Sequence, residues 1–305
     1  MTTMPCVIVI FAYNRSAHLF RCISTLLANE EARNFSIEVF IDGPKSDFDV
    51  AEQKKIIYYL EVLNIFENIK IYKRKENTGL SRSIIAGLRD VFSRYEAAII
   101  IEDDLEVSPY LLEFFTSALN LYKDDSSVAS IHGFSYPLEG DLSQTYFLKG
   151  ADCWGWATWR NRWAEFEEDA QVLIDGIIRE NAVNRFDLDG NYAYFKMLKK
   201  QSRGEIDSWA IRWHASMFLK NKFTLFPRVS LVENKGMDGS GTHYNVTANA
   251  SPNKKMSRLS RKPIKLVKQT VIEDELARES LKRFLLKKNK TSKIRKLRQI
   301  VYNRT

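Results

Sequence analysis

Three like charges in a row, Glu102, Asp103 and Asp104, directly follow Ile99, Ile100 and Ile101. Carboxylates this close repel one another unless a cation sits among them or they splay into water. A hard divalent cation, Mn2+ or Mg2+, takes such oxygens and usually completes its shell with substrate phosphates. The bland alternative is a solvated acidic loop. The isoleucine run reads as a buried strand ending at the triplet, which favours the metal. Arg15 follows the first apolar run, where it can steer a phosphate or bracket a planar base. Asp42 follows the second and can accept from a base N–H or a ribose hydroxyl. Singly each reads as a surface or turn residue; at consecutive strand ends they read as a nucleotide site. Asp207 precedes a helical stretch, as an ordinary cap does. It is also where a general base would be mounted, with Trp209 beside it to exclude water. Trp154, Trp156, Trp159 and Trp163 crowd into ten residues. Part of that cluster is core, but Gly155 between two of them lets an aromatic face meet a sugar. His243, in the glycine-rich DGSGTH loop, is either solvated or part of a lid that touches ligand.

The elements that position these residues follow from the apolar pattern. CVIVIFAY (6–13), SIEVFID (36–42), NIKIYKR (68–74) and AAIIIEDD (97–104) read as strands. Helical stretches follow each of them, the last opening at Ser108 as N-cap and Pro109 as first helical residue. Four strand–helix alternations predict a largely parallel sheet with right-handed crossovers. Ligands bind beyond the carboxyl ends of such strands, which is where Tyr13, Asn14, Arg15, Asp42, Asn77 and the acidic triplet fall. After residue 125 the rhythm changes. VASIHGF, TYFLKG and FTLFPRVSLVEN read as strands. Helices are expected near 169–180 and 190–202 and after Asp207 or Ser208.

Of the 305 residues, 45% are hydrophobic and 12% aromatic, enough for a sizeable core. No apolar run is long enough to span a bilayer. The first residues lack a basic segment and a cleavage site, so they read as a strand and not a signal peptide. Cys6, Cys22 and Cys153 are scattered and odd in number, which suggests a reducing compartment and argues against a zinc knuckle. The net charge is +8, but residues 254–305 hold 18 Lys or Arg against 4 Asp or Glu. The tail therefore carries +14 and the preceding 253 residues −6.

The segments IVIFAYNR, FIDGP, ENTGL and EDDLEVSP resemble the nucleotide-binding half of family 2 GT-A glycosyltransferases. The acidic triplet followed by Leu, an acidic residue and Pro before a helix is similar to the N-acetylglucosaminyltransferase I group. CWGWATW, IDSWAIRW and FPRVSLVENKGMDGSGTH resemble that group's later segments, in a bacterial branch tied to surface polysaccharide. The likeness covers about residues 5–245. It implies an α/β GT-A fold, Rossmann-like, with a mostly parallel sheet, flanking helices and a basic helical C-terminal tail. The divisions expected are a nucleotide-sugar half (1–125), an acceptor and catalytic half (126–253) and the tail (254–305). The resemblance implies that Asp104 holds the metal; His243, from its place in the glycine-rich loop, is a second candidate ligand. It gives Glu102 and Asp103 to the donor's sugar or ribose, and Arg15, Asp42 and Tyr13 to the uridine part, with Asn77 and Gly79 in the donor loop. Asp207 becomes the catalytic base, and Trp154, Trp156 and Trp209 the stacking surfaces for acceptor or sugar. The motif is Glu-Asp-Asp and not Asp-x-Asp, which leaves open which carboxylates touch the metal.

The activity implied is inverting transfer from a nucleotide-sugar, a UDP-sugar by resemblance, to a hydroxyl of a glycan or lipid-linked glycan. A sugar nucleotidyltransferase would share the sheet and the metal but should carry a glycine-rich loop after the first strand. FAYNRSAHLF has none. A nucleic-acid binder is suggested only by the tail; the body is acidic and shows no recognition motif, so no nucleic-acid partner is expected. Ile272, Leu276, Leu281, Phe284 and Leu285 fall close to one face of a helical stretch at 271–288, and 293–301 repeats the pattern. Residues 256–305 read either as a pair of helices docked on the body or as an anchor to an anionic membrane. The expected location is cytoplasmic, on the inner face of the cell membrane. Deleting residues 256–305 is expected to release the protein and to spare activity on a soluble acceptor.

Overall fold

The computed structural model describes residues 5–63, 68–236 and 259–287. Its first half alternates as expected: β1 (Cys6–Ala12), α1 (Ser16–Leu27), β2 (Ser36–Ile41), α2 (Asp47–Val62), β3 (Ile69–Lys73), α3 (Leu80–Arg94) and β4 (Ala97–Glu102). These four strands are parallel, in the order β3-β2-β1-β4. Both faces of β1 and β4 are covered, so their sequences are continuous apolar runs. Ile8, Ile10, Ile99 and Ile101 face one core, and Val7, Val9, Ala98 and Ile100 the other. The register sets Phe11 opposite Glu102 and Ala12 opposite Ile41, so the carboxyl ends of the central strands finish level.

Next come β5 (Leu105–Val107), α4 (Leu111–Tyr122), β6 (Val128–His132), β7 (Thr145–Lys149) and β8 (Trp156–Trp159). They are followed by α5 (Arg160–Trp163), α6 (Ala170–Arg179), α7 (Val183–Phe186), α8 (Tyr194–Ser202), α9 (Trp209–Leu219), β9 (Phe223–Pro227) and β10 (Val232–Asn234). The main sheet continues β4-β8-β6-β9-β7. β8 is antiparallel to both β4 and β6, β9 is parallel to β6, and β7 is antiparallel to β9. The second half of the chain thus extends the same sheet in mixed orientation.

Two local expectations are corrected. The helix expected at Pro109 begins at Leu111, with Tyr110 as its N-cap. Ser108 instead accepts from the Tyr110 N–H at 3.3 Å and donates to the Ser260 carbonyl at 2.8 Å. FTLFPRVSLVEN is two strands and not one: β9 joins the main sheet, and β10 pairs antiparallel with β5.

The tail follows a different course from a free amphipathic arm. Residues 259–274 run along the body, and 275–287 form a helix. Ala277, Leu281 and Leu285 of that helix are buried with Leu138, Tyr146, Leu148 and Phe226. Arg278 and Lys282 both pair with Asp189. Ile272 and Leu276, expected on the same apolar face, point outward at 63% and 66% exposure. The second amphipathic stretch, 293–301, lies outside the described residues.

Candidate active site

The level ends of β1, β2 and β4 and the loop after β3 gather the expected donor residues along one edge of the parallel sheet. Arg15 lies just beyond β1, and its guanidinium forks across two carboxylates. One nitrogen meets Asp103, and Nη1 reaches Asp104 Oδ2 at 3.0 Å. The like charges therefore have a cation among them from the chain itself. Burial, with Asp104 and Asp103 adding repulsion, pushes the Glu102 carboxyl up to about 8. Burial likewise lifts Asp103 to about 6, against the pull of Arg15. The backbone of 235–236 closes over this turn. Lys235 N–H donates to the Asp104 carbonyl at 2.8 Å, and a Cβ at Gly236 would fall 2.1 Å from Asp104 Oδ2.

Asp104 Oδ1 is buried with no hydrogen-bond partner. An orphaned carboxylate oxygen inside a protein is costly, and a hard cation would satisfy it. Among the described residues no three His, Cys, Asp or Glu side chains converge on one point. The donor set thus fits a divalent ion bound through one carboxylate, with the remaining ligands supplied by phosphate.

Asp42 serves the architecture more fully than its type suggests. Oδ1 accepts from the N–H groups of Gly43 and Thr78 and from Thr78 Oγ1, and Oδ2 accepts from Gly79 N–H at 2.9 Å. Asn77 donates to the Gly43 carbonyl at 2.8 Å. A Cβ at Gly43 would lie 2.1 Å from the Glu76 backbone, so only glycine permits these two loops to touch. Gly79 has φ 82° and precedes α3. Tyr13 and Asn14 donate to the two oxygens of Asp49, at 2.7 and 2.6 Å. Burial and Asp49 together push the Tyr13 phenol up to about 12. Asp49 sits in the first turn of α2, four residues or more from any recognisable motif, and no signal in the sequence marks it.

Asp207 stands against this loop from the other half of the chain. Its Oδ2 lies 3.5 Å from where a Cβ at Gly79 would be. The cap of α9 is Ser208, whose Oγ accepts from Ile211 N–H at 3.4 Å, so Asp207 is spared that task.

The tryptophans divide. Trp156 and Trp209 were expected to stack on sugar, and this is corrected. Trp156 is fully buried and Trp209 nearly so, and they stack on each other at 5.5 Å within a core that includes Trp163 and Trp213. Trp154 stays half-buried, edge-on to Phe134 at 5.0 Å. His243 lies outside the described residues.

The sequence model of the GNT-I family matches residues 1–173. No curated protein matches. Among solved structures, GalNAc-T7 with UDP, GalNAc and Mn2+ superposes with a TM-score of 0.50 at 10% identity, over 77% of this chain and 44% of its own. The mannosyltransferase PcManGT from Pyrobaculum calidifontis, in complex with GDP-Man and Mn2+, gives 0.34 at 16% identity, over 45% of this chain and 37% of its own. S. aureus TarS gives 0.36 at 12% identity, over 49% and 25%. The chain spans less than half the length of each of these proteins. The GalNAc-T7 superposition shows the GT-A fold.

Proposed function

The chain belongs to the GNT-I family of GT-A glycosyltransferases, and we propose that it moves a sugar, with inversion, from a nucleotide-sugar donor to an acceptor hydroxyl. A UDP-sugar is the donor, and a glycan or lipid-linked glycan of a bacterial surface polysaccharide the acceptor. The observation that carries this reading is the orphaned Asp104 Oδ1 at the end of β4.

Asp104 would hold a divalent cation, Mn2+ or Mg2+, through that oxygen; when bound, the cation supplies positive charge to the diphosphate leaving group. Arg15 fixes the two carboxylates on either side of its guanidinium and keeps Asp104 aimed. Tyr13, Asn77 and the Asp42-tied loop ending at Gly79 line the place for the nucleoside. Glu102, at the end of β4 beside Asp103 and Asp104, hydrogen-bonds a hydroxyl of the donor's sugar or ribose. Asp207 accepts the proton of the acceptor hydroxyl. That oxygen then bonds to the anomeric carbon as the carbon's bond to the diphosphate oxygen breaks, and the configuration inverts.

The location proposed is the inner face of the membrane. Among the described residues no helix is long and apolar enough to cross one. Support for surface attachment comes from residues 288–305, which hold seven Lys or Arg and no Asp or Glu. Of the exposed apolar residues of the tail, Val267 stands between Lys265 and Lys268, whereas Ile272 and Leu276 flank Glu273, Asp274 and Glu275.

Thermal shift with nucleotides tests the reading. UDP with Mn2+ should raise the melting temperature of the full chain well beyond either alone, and more than UTP with Mn2+ does. Asp104→Ala should abolish the metal-dependent part and keep the fold. An unchanged UDP–Mn2+ shift in Asp104→Ala, or none in the wild type, overturns it. UDP release from a panel of nucleotide sugars then identifies the donor.

A further inference from the structure

Residues 151–154 cross between two glycines in the left-handed region, Gly150 (φ 87°) and Gly155 (φ 62°), with no strand or helix of their own. An imidazole holds each end, that of His132 buried and that of His214 half-buried. His214 Nδ1 lies 2.8 Å from the Ala151 carbonyl, and His132 Nε2 accepts from Trp154 N–H at 3.0 Å. The segment is thus built to present something, and its one charged side chain is Asp152, 27% exposed. Asp152 Oδ2 accepts from the Tyr136 hydroxyl at 3.1 Å, and Oδ1 from Cys153 N–H at 2.8 Å. A carboxylate has about four acceptor sites, so each oxygen has capacity left for another donor.

The surroundings of Asp152 are aromatic and close to the donor carboxylates. Its charge contributes to holding up the Glu102 carboxyl and the phenols of Tyr192 and Tyr194. The rings of Tyr192 and Tyr194 are 4.3 Å apart, and Tyr194 stacks on His214 at 4.5 Å. Tyr192 follows a turn in which Leu188 (φ 50°), Asp189 (φ 55°) and Gly190 (φ 78°) are all left-handed. Two non-glycine residues in that region are strained. The turn is held because Arg278 and Lys282 of the C-terminal helix grip Asp189 at 2.9 and 2.8 Å.

We propose that Asp152, with Tyr192 and Trp154, forms the subsite for the acceptor sugar. Asp152 accepts a hydrogen bond from a hydroxyl next to the attacking one, and the aromatic faces take the C–H face of the ring. A carboxylate set among aromatic rings is the chemistry that recognises a neutral carbohydrate. The donor residues come from the ends of β1 to β4, whereas Asp152, Trp154, Tyr192 and the base Asp207 all come from the second half of the chain. The acceptor is the partner left for that half to bind. This inference rests on the proposed function.

The test uses the full chain saturated with UDP and Mn2+ and a panel of methyl hexosides and methyl N-acetylhexosaminides. Binding is read by saturation-transfer NMR, and UDP–Mn2+ affinity by calorimetry. At least one glycoside should bind the wild type. Asp152→Asn, whose carbonyl can still accept from Cys153 N–H while its amide donates to the Tyr136 hydroxyl oxygen instead, should weaken it about tenfold to a hundredfold, the effect of losing a charged hydrogen bond. Asp152→Glu should recover part of that loss, and Tyr192→Ala should weaken the same glycoside. UDP–Mn2+ affinity should stay within about twofold in all variants. Equal glycoside binding in Asp152→Asn overturns the subsite, as does a wild type that binds UDP–Mn2+ but no glycoside. Lost UDP–Mn2+ binding in Asp152→Asn also overturns it, by making the residue part of the donor site. A wild type that binds no UDP with Mn2+ removes the glycosyltransferase reading itself.

Discussion

Asp207 is exposed, faces Gly79 of the donor loop, and is relieved of capping by Ser208. A carboxylate with those three properties can change chemistry without changing the fold. Asp207→Asn is therefore expected to lower the transfer rate by about a hundredfold or more, the usual worth of a general base. Stability should move by less than about 1 kcal/mol, because the attraction lost, between the exposed Asp207 and the buried Arg212 guanidinium, is screened by solvent. Single-turnover rates at saturating donor and a chemical-denaturation curve check the two halves; an unaltered rate would leave Asp207 without a catalytic part. At this scale the sequence is uneven. The acidic triplet was legible because a strand of isoleucines that ends in like charges demands a physical reason. The internal task of Asp42 was not legible, since a sequence shows a carboxylate at a strand end but not which N–H groups turn toward it. The burial of Trp156 and Trp209 escaped for the same reason: a tryptophan's type is equal for core and for sugar stacking, and only the facing elements decide. Asp152 and Asp49 carry no local mark at all.

Elements show the same division. The parallel strands β1 to β4 were legible because each is a continuous apolar run with a helix after it. The three-residue strands β5 and β10 were not, being too short to display a period. Nor was the 150–155 segment, whose two histidines come from β6 and α9, some twenty and sixty residues away in sequence. Desolvation lowers the pKa values of both imidazoles, the buried His132 and the half-buried His214, with Asp152 at 4.0 Å from His132 Nε2 opposing. His132 donates from Nδ1 to the Phe134 carbonyl and accepts at Nε2 from Trp154, so it is bonded in its neutral form. In the unfolded chain an imidazole titrates near 6.5. Below that pH the unfolded state binds protons that the folded state refuses, so stability falls as pH falls from about 6.5 toward the folded value. Glu102 and Asp103 act in the opposite sense, because their raised values make the folded state the better proton binder between the ordinary carboxylate range and about 8 and 6 respectively. The informative quantity is thus a difference between proteins. His132→Asn retains a donor toward Phe134 and removes the titrating ring. Its loss of stability between pH 7.5 and pH 5.5, from urea denaturation, should be smaller than the wild type's. Parallel profiles would assign the acid sensitivity to other groups.

The whole molecule joins an acidic body to a basic tail, and the charge division was plain in the sequence while the seating of the tail was not. The amphipathic pattern at 271–288 gives an apolar stripe without saying whether lipid or protein covers it. The structure divides that stripe: Ala277, Leu281 and Leu285 go to the body, and Ile272 and Leu276 stay outside. Burying two leucines contributes about 3–6 kcal/mol, a large share of the stability of an ordinary domain. The Asp189 grip and the Ser108–Ser260 bond are lost with them if the tail is removed. The expectation that residues 256–305 can be deleted without harm is therefore replaced by two separate cuts. A chain ending at residue 258 should melt many degrees lower than the full protein and bind acceptor poorly, since the turn before Tyr192 loses Arg278 and Lys282. A chain ending at residue 287 should keep its melting temperature within a few degrees, about what ΔΔG values below 1 kcal/mol produce. It should also keep its activity on a soluble acceptor. The same shorter chain tests the membrane. Residues 288–305 carry seven basic side chains, each worth roughly 1 kcal/mol near an anionic surface. Full-length protein should sediment with phosphatidylserine-containing vesicles at low salt and leave them as the salt rises, and the chain ending at 287 should sediment far less. Equal sedimentation of the two would move the lipid contact onto the outward face of Val267, Ile272 and Leu276. Indifference of the full-length protein to anionic vesicles would remove the membrane from its function and leave the tail as the brace that holds the acceptor half together.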